Sequence, residues 1–343
     1  MSDAADEKLT RTKPANTKLA IFVNLRFSLW CPPEEFAERL RRRWPEMRVV
    51  LLSRADQLAT ELPDADIFVG YSLRAEQLRI ARRLKWVQCT AAGVAQLLYP
   101  EFLESGIALT NASGVHAIPM AEHIIGMILA LLRDLPGSTR FQLQHRWAQQ
   151  EIWDGNARPR ELLEQTALLV GFGAVGRAVA ERLRAMGVRV WTVTRSGKAD
   201  PALAERAFPV SELDAALPHA DILVLAAPET PETHHLIGAA QLALLKPTTI
   251  LINVARGSLI DEPALVAALQ TRVIAAAGLD VASREPLPPE SPLWSLENVL
   301  ITPHISGVTE RHWEREAELL IDNLERWFSG QPLRNQVDLS RGY

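Results

Sequence analysis

The chain has 343 residues, of which 48% are hydrophobic and 23% are charged, an ordinary composition for a globular protein. This length exceeds what one hydrophobic core usually holds, so two domains are expected. The net charge of -4 gives no electrostatic reason to expect nucleic acid or an anionic membrane as a partner.

The amino terminus and the cysteines indicate a cytoplasmic protein. Residues 1–17 are polar and lack the apolar core of a signal peptide, so a disordered tail is expected there. The longest apolar run, residues 124–132, is too short to span a bilayer. Cys31 and Cys89 have neither metal-ligand spacing nor disulfide density, which predicts plain thiols in a reducing compartment and no metal site.

Short apolar runs alternate with amphipathic segments in the first third of the chain, which predicts a small parallel α/β domain. The runs lie at residues 19–23, 49–52, 67–69, 86–88 and 107–110. The small residues at 90–94 either expose backbone N–H groups to a ligand or only begin the next helix.

Residues 118–132 are apolar on nearly every side, with Pro119 in the first turn. Such a helix should be buried all round, between domains or against a second subunit. We therefore expect a homodimer.

The segment at residues 166–187 has the order strand, glycine turn, helix. Gly171 would permit the turn, Gly173 would let the backbone approach a pyrophosphate, and Gly176 would let the helix pack closely. Glycines in such a turn can also serve packing alone. The context favours a dinucleotide site, in which Ala174 and Val175 begin the helix that faces the phosphates.

Regular strand runs continue to residue 302, which predicts a doubly wound parallel Rossmann sheet. They lie at residues 167–170, 188–193, 221–226, 249–254, 274–279 and 299–302. We expect a dinucleotide-binding domain over residues 112–307. An amphipathic helix at 310–328 should return to the first domain, which then comprises 18–111 and 308–343.

Ionisable side chains follow several of these strands, where ligands bind in such sheets. They are Arg256, Asp280, Glu285 and His304, and they should converge on one crevice facing the smaller domain.

The position that is acidic in most NAD-binding units is Thr194, and Arg195 and Ser196 follow it. A guanidinium suits the 2′-phosphate of NADP, so we predict NADPH preference with NAD as a possible cofactor. The alternative is that Arg195 is a solvated loop charge.

Four motifs resemble those of the D-isomer-specific 2-hydroxyacid dehydrogenases, in the glyoxylate/hydroxypyruvate reductase branch. They are GFGAVG at 171–176, NVARG at 253–257, GLDV at 278–281 leading to EPLP at 285–288, and TPHISG at 302–307. The resemblance runs from Val69 to Gly330 and implies that the smaller, substrate-binding domain is flavodoxin-like.

The resemblance implies a role for each matched residue. Arg256 holds the substrate, His304 is the general acid/base and Glu285 pairs with it, while the N–H groups of Gly93 and Val94 hold the substrate carboxylate. Asp280 and the backbone beside Val254 face the nicotinamide, and Thr233 neighbours the phosphates. The implied cofactor contacts are Gly171, Gly173, Ala174, Val175, Gly176, Thr194, Arg195, Ser196, Pro228, Thr233, Val254, Ala255, Arg256, Asp280, His304 and Gly307.

The implied reaction is NADPH-dependent reduction of glyoxylate or hydroxypyruvate to the D-2-hydroxy acid. Alternatives are a reductase of bulkier 2-oxo acids, an NAD-linked D-2-hydroxyacid dehydrogenase, and a non-catalytic nucleotide sensor. The absence of a regulatory domain after residue 328 disfavours the larger phosphoglycerate dehydrogenases, and Glu285 disfavours a formate dehydrogenase. The other histidines are expected to be structural or exposed: His116, His123, His145, His219, His234, His235 and His312.

Overall fold

The computed structural model describes residues 13–155 and 158–339, and the chain forms two compact units. One unit contains the chain up to Val115 and again from Val308, and the other is His116–Gly307. The expected division after residue 111 is four residues too early. Asn111 and Ala112 stay with the first unit because the Asn111 amide donates to the Ala92 carbonyl (2.9 Å) and Ala112 N donates to the Ala91 carbonyl (3.0 Å).

The first unit is built on five parallel strands in the order β2-β1-β3-β4-β5, the flavodoxin-like order. All five strands that the sequence predicts are present, and no end is shifted by more than one residue. The elements are β1 (Lys18–Phe22), α1 (Glu34–Arg43), β2 (Arg48–Leu51), α2 (Leu58–Glu61), β3 (Ile67–Gly70), α3 (Ala75–Ile80), β4 (Trp86–Cys89), α4 (Pro100–Leu103) and β5 (Ala108–Thr110).

The second unit is a doubly wound sheet of seven parallel strands in the order β12-β11-β10-β9-β6-β7-β8. Successive β6 side chains enter two different apolar clusters, because neighbouring residues of a strand point to opposite faces and helices cover both faces. The elements are α5 (Ala117–Leu132), α6 (Leu135–Leu143), α7 (Gln149–Asp154), β6 (Thr166–Val170), α8 (Ala174–Ala185), β7 (Arg189–Thr194), β8 (Arg206–Pro209), α9 (Leu213–Ala216), β9 (Ile222–Leu225), α10 (Ala239–Leu244), β10 (Ile250–Asn253), α11 (Glu262–Gln270), β11 (Ala276–Leu279) and β12 (Val299–Ile301).

The sequence patterns do not predict β8, α6 or α7. Strand β8 begins with an arginine, ends with a proline and is half-exposed at the sheet edge, so it has no apolar run to reveal it. Helix α5 also differs from the expectation. Only one stripe of it is buried within the unit, and Ile118 on the other side is 43% exposed.

The last helix, α12 (His312–Ser329), completes the core of the first unit. Trp313, Leu320 and Trp327 lie on its buried stripe, and Gly330 ends it at φ +68°. No helix in the described ranges combines the length and apolar character that a bilayer crossing needs.

The carboxyl end of the predicted tail is structured. Residues Pro14–Asn16 form a 3₁₀ turn, and Thr17 is buried with its hydroxyl donating to the Lys13 carbonyl at 3.0 Å. The first twelve residues of the predicted tail lie outside the described residues.

Both cysteines are free thiols, as predicted. Burial raises the pKa of the Cys89 thiol to about 12, so this thiol stays protonated and unreactive at neutral pH.

The carboxyl group of Glu316 in α12 is enclosed in the first unit. It is 1% exposed, and its Oε1 has no hydrogen-bond partner among the described residues. Burial raises the pKa of Glu316 to about 8, because the charged form loses its hydration.

This burial predicts a pH-dependent loss of stability. The unfolded chain ionises Glu316 above about pH 4.5, whereas the folded chain does so only near pH 8, so stability is full below the first pH and falls as pH rises from the first to the second. Glu316→Gln stays neutral throughout. The difference between its free energy of unfolding and that of wild type should therefore rise by a few kcal/mol, in favour of the variant, from about pH 5 to about pH 9.

Urea unfolding at several pH values measures this difference. Glu318→Gln is the matched control, because this side chain is 58% exposed on the same helix. An equal pH dependence in wild type and Glu316→Gln would contradict the prediction.

Candidate active site

The turn after β6 has the geometry expected of Gly171 and Gly176. Gly171 has φ +99°, and a Cβ there would lie 2.7 Å from the backbone at Ala226 and Ala227. A Cβ on Gly176 would lie 2.3 Å from the Gly171 carbonyl oxygen, so any other residue would push α8 away from the turn.

The amino terminus of α8 is suited to an anion. Gly173 precedes the helix with no side-chain cap from the described residues, and a Cβ there would have no atom within 4 Å. The N–H groups of the first turn, which includes Ala174 and Val175, have no partner within the helix and lie beside this open space. The turn therefore fits the pyrophosphate of a dinucleotide, which remains a predicted contact.

The end of β7 carries no carboxylate. The Thr194 hydroxyl accepts from Lys198 N and donates to the Lys198 carbonyl, both at 3.1 Å, which closes a short turn. Arg195 and Ser196 lie on this turn with exposed side chains.

The loop after β9 holds Thr233 by local hydrogen bonds. Its hydroxyl donates to the Pro228 carbonyl and accepts from Thr230 N, both at 2.8 Å. Pro228 and Thr233 are therefore brought together, and the Thr233 hydroxyl already has partners inside the loop.

Asn253, the last residue of β10, fixes the backbone of Arg256. Its amide accepts from Ala255 N (3.1 Å) and donates to the Arg256 carbonyl (2.9 Å). Val254 and Ala255 are buried, whereas Arg256 is exposed and its guanidinium donates to the Ala255 carbonyl at 2.6 Å.

His304 and Glu285 form the predicted pair. The His304 Nδ1 lies 2.7 Å from the Glu285 Oε2, and Ala282 N donates to the other Glu285 oxygen at 3.2 Å. An ionised carboxylate only accepts hydrogen bonds, so Nδ1 carries a proton and Nε2 is left for a reacting group. The His304 side chain is 49% exposed.

Asp280 is buried more completely than its predicted place in a ligand-binding crevice suggests. Its side chain is 0% exposed, and its carboxylate accepts from the Thr302 hydroxyl (2.6 Å) and from Ile305 N and Ser306 N (both 2.9 Å). Its contact with a nicotinamide stays a prediction. Its hydrogen bonds to the loop that carries His304 are present in the structure. Gly307 ends this loop.

The predicted catalytic residues follow three adjacent strands. Arg256 follows β10, Glu285 follows β11 and His304 follows β12, and these strands are neighbours in a parallel sheet. Their carboxyl ends therefore lie along one edge. In the first unit, Gly93 and buried Val94 follow β4 in the same way, and their substrate contact stays a prediction.

The family model for the NAD binding domain of D-isomer-specific 2-hydroxyacid dehydrogenases matches residues 125–306. The chain belongs to this family. It is 34% identical over 311 residues to a glyoxylate reductase of Thermococcus gammatolerans, which covers 87% of this chain and 91% of that protein. Against an Archaeoglobus fulgidus D-3-phosphoglycerate dehydrogenase the identity is 31%, and the match spans 58% of that longer protein.

Two solved structures share the fold over nearly the whole chain. A family member from Xanthobacter autotrophicus in complex with NADPH has a TM-score of 0.81 at 29% identity, covering 96% of this chain and all of that one. An NADPH-dependent glyoxylate/hydroxypyruvate reductase from Sinorhizobium meliloti in complex with NADP has a TM-score of 0.79 at 26% identity, covering 95% and 100%.

These relationships make the protein an NAD(P)-dependent oxidoreductase of 2-oxo and 2-hydroxy acids. The sequence does not predict a place beside the site for His123 of α5, for which a structural or exposed position is expected. Its Nε2 lies 3.0 Å from the Thr302 hydroxyl. No local sequence signal connects two residues that are 179 positions apart.

Proposed function

We propose that the protein reduces small 2-oxo acids of the glyoxylate and hydroxypyruvate type to D-2-hydroxy acids with NADPH. The observation that carries the proposal is the His304–Glu285 pair at 2.7 Å, on the same sheet edge as Arg256. Relatives named glyoxylate reductase and NADPH-dependent glyoxylate/hydroxypyruvate reductase support the substrate class.

The chain's own residues would deliver the proton and stabilise the charge that develops on the substrate. The bound nicotinamide would supply the hydride to C2 of the oxo acid. Charge then develops on the carbonyl oxygen, and the His304 Nε2 can deliver a proton to it while Arg256 binds the carboxylate and stabilises that oxygen. Glu285 orients the His304 ring, because its Oε2 lies 2.7 Å from Nδ1. Gly93 and Val94 N–H groups would add to carboxylate binding.

His304→Asn should lower kcat by roughly 100-fold to 10,000-fold, because no proton donor remains at the reacting oxygen. NADPH should still bind. Loss of NADPH absorbance with hydroxypyruvate or glyoxylate measures turnover, and chiral analysis of the product tests the D configuration.

His145→Asn is the matched control, because His145 is an exposed histidine at φ +56°, close to the φ +54° of His304. Asparagine tolerates this backbone conformation, so the two changes differ mainly in the imidazole that is lost. Near wild-type turnover by His304→Asn would remove His304 from its proposed role.

Arg195 is proposed to select NADPH. Arg195→Ala should lower kcat/KM for NADPH by roughly 10-fold to 100-fold and change that for NADH little, because a charge-assisted hydrogen bond to the 2′-phosphate is lost. Arg189→Ala, at the opposite end of β7, is the control. A wild-type enzyme that prefers NADH would contradict the proposal.

We also propose that a second copy of the chain covers the exposed apolar side chains of α5, α6 and the segment after α6. Ile118, Leu135, Leu143, Trp147 and Trp153 are 43%, 52%, 78%, 94% and 56% exposed. Four of the five lie within residues 135–153, and contiguous exposed apolar surface marks interaction sites.

Leu143→Glu combined with Trp147→Glu should shift the sedimenting mass from two chains to one at micromolar concentration. Leu244→Glu, a change at a 38% exposed leucine in α10, should leave the mass at two chains. A wild-type mass of one chain would refute the homodimer. Cytoplasmic location stays a prediction from the cysteine content.

A further inference from the structure

The loop that carries His304 has an unusual backbone. His304 has φ +54°, in the left-handed region that side chains other than glycine rarely adopt. Its N–H donates to the Asp280 carbonyl at 2.8 Å, and the next two N–H groups donate to the Asp280 carboxylate. A conformation of this kind persists only where the surroundings hold it.

The Asp280 carboxylate is in turn oriented by a hydroxyl. The Thr302 Oγ1 lies 2.6 Å from Asp280 Oδ1, and the carboxylate can only accept, so the single hydroxyl proton points to Asp280. The Thr302 oxygen is then free only as an acceptor.

His123 lies within hydrogen-bonding distance of the Thr302 oxygen. Its Nε2 lies 3.0 Å from Thr302 Oγ1 and 3.7 Å from Asp280 Oδ1, and its side chain is 20% exposed. Because the hydroxyl proton is used toward Asp280, the proton between Nε2 and Oγ1 must come from His123. The hydrogen bonds therefore run in one direction: His123 donates to Thr302, and Thr302 donates to Asp280.

We propose that His123 is a positioning residue for His304. By donating to Thr302 it keeps the hydroxyl turned toward Asp280, and Asp280 then holds the loop backbone on both sides of Ile305. The His304 ring consequently meets Glu285 at a fixed angle and presents Nε2 to the substrate. This role rests on the proposed reduction of 2-oxo acids, in which His304 delivers the proton.

The test compares side chains at position 123 that differ in the donor. His123→Leu removes the N–H, whereas His123→Gln places an amide N–H near the position of Nε2. We expect His123→Leu to lower kcat about 5-fold to 20-fold with KM for NADPH unchanged, and His123→Gln to recover most of the loss. Glu122→Gln, an exposed neighbour on α5, should leave kcat unchanged.

The partner hydroxyl provides a second comparison. Thr302→Val should reproduce the loss and Thr302→Ser should retain activity. Since His123→Leu and Thr302→Val break the same chain of hydrogen bonds, their combination should be little worse than either change alone. Fully additive losses, or equal losses in His123→Leu and His123→Gln, would overturn the proposal.

A spectroscopic measurement separates this inference from the proposed function. In protein with ¹³C-labelled histidine, the His304 Cε1–H signal, assigned by its loss in His304→Asn, should move or broaden in His123→Leu and return in His123→Gln. If wild type turns over no 2-oxo acid, the proposed function fails, and the His304 signal still decides the role of His123. An unmoved signal in His123→Leu overturns the inference even where turnover is high.

Discussion

The buried carboxylate of Asp280 is the interaction on which the candidate site depends. It is a charged group with 0% side-chain exposure, and such a group is tolerated only when hydrogen bonds replace its hydration. Here those bonds come from Thr302, Ile305 and Ser306, which flank His304. The desolvated charge at the end of β11 therefore determines the backbone of the loop after β12.

The two α/β folds and the positions of ionisable residues at the strand ends could be predicted from the sequence because both depend on local patterns. Apolar runs reveal buried parallel strands, and the rule that ligands gather at their carboxyl ends selects Arg256, Glu285 and His304 from many ionisable residues. The need for glycine at Gly171 and Gly176 could likewise be predicted, because the turn and the close approach of the helix leave no room for a Cβ.

What the sequence could not predict depends on contacts between distant segments or on weak local patterns. Strand β8 is half-exposed and is recognised only by its pairing with β7. The donor that His123 supplies to Thr302 joins α5 to the end of β12, and the burial of Glu316 exists only once α12 has packed. Nothing in the spacing of these residues distinguishes them from surface charges.

The division of the first unit between the two ends of the chain affects the order of its assembly during synthesis. Trp313, Leu320 and Trp327 complete a core whose other members lie mainly in residues 19–86. The segment at 335–337 also pairs with the edge of β5. The contiguous second unit can fold before α12 is synthesised, whereas the strands of the first unit must wait for α12 to complete their core.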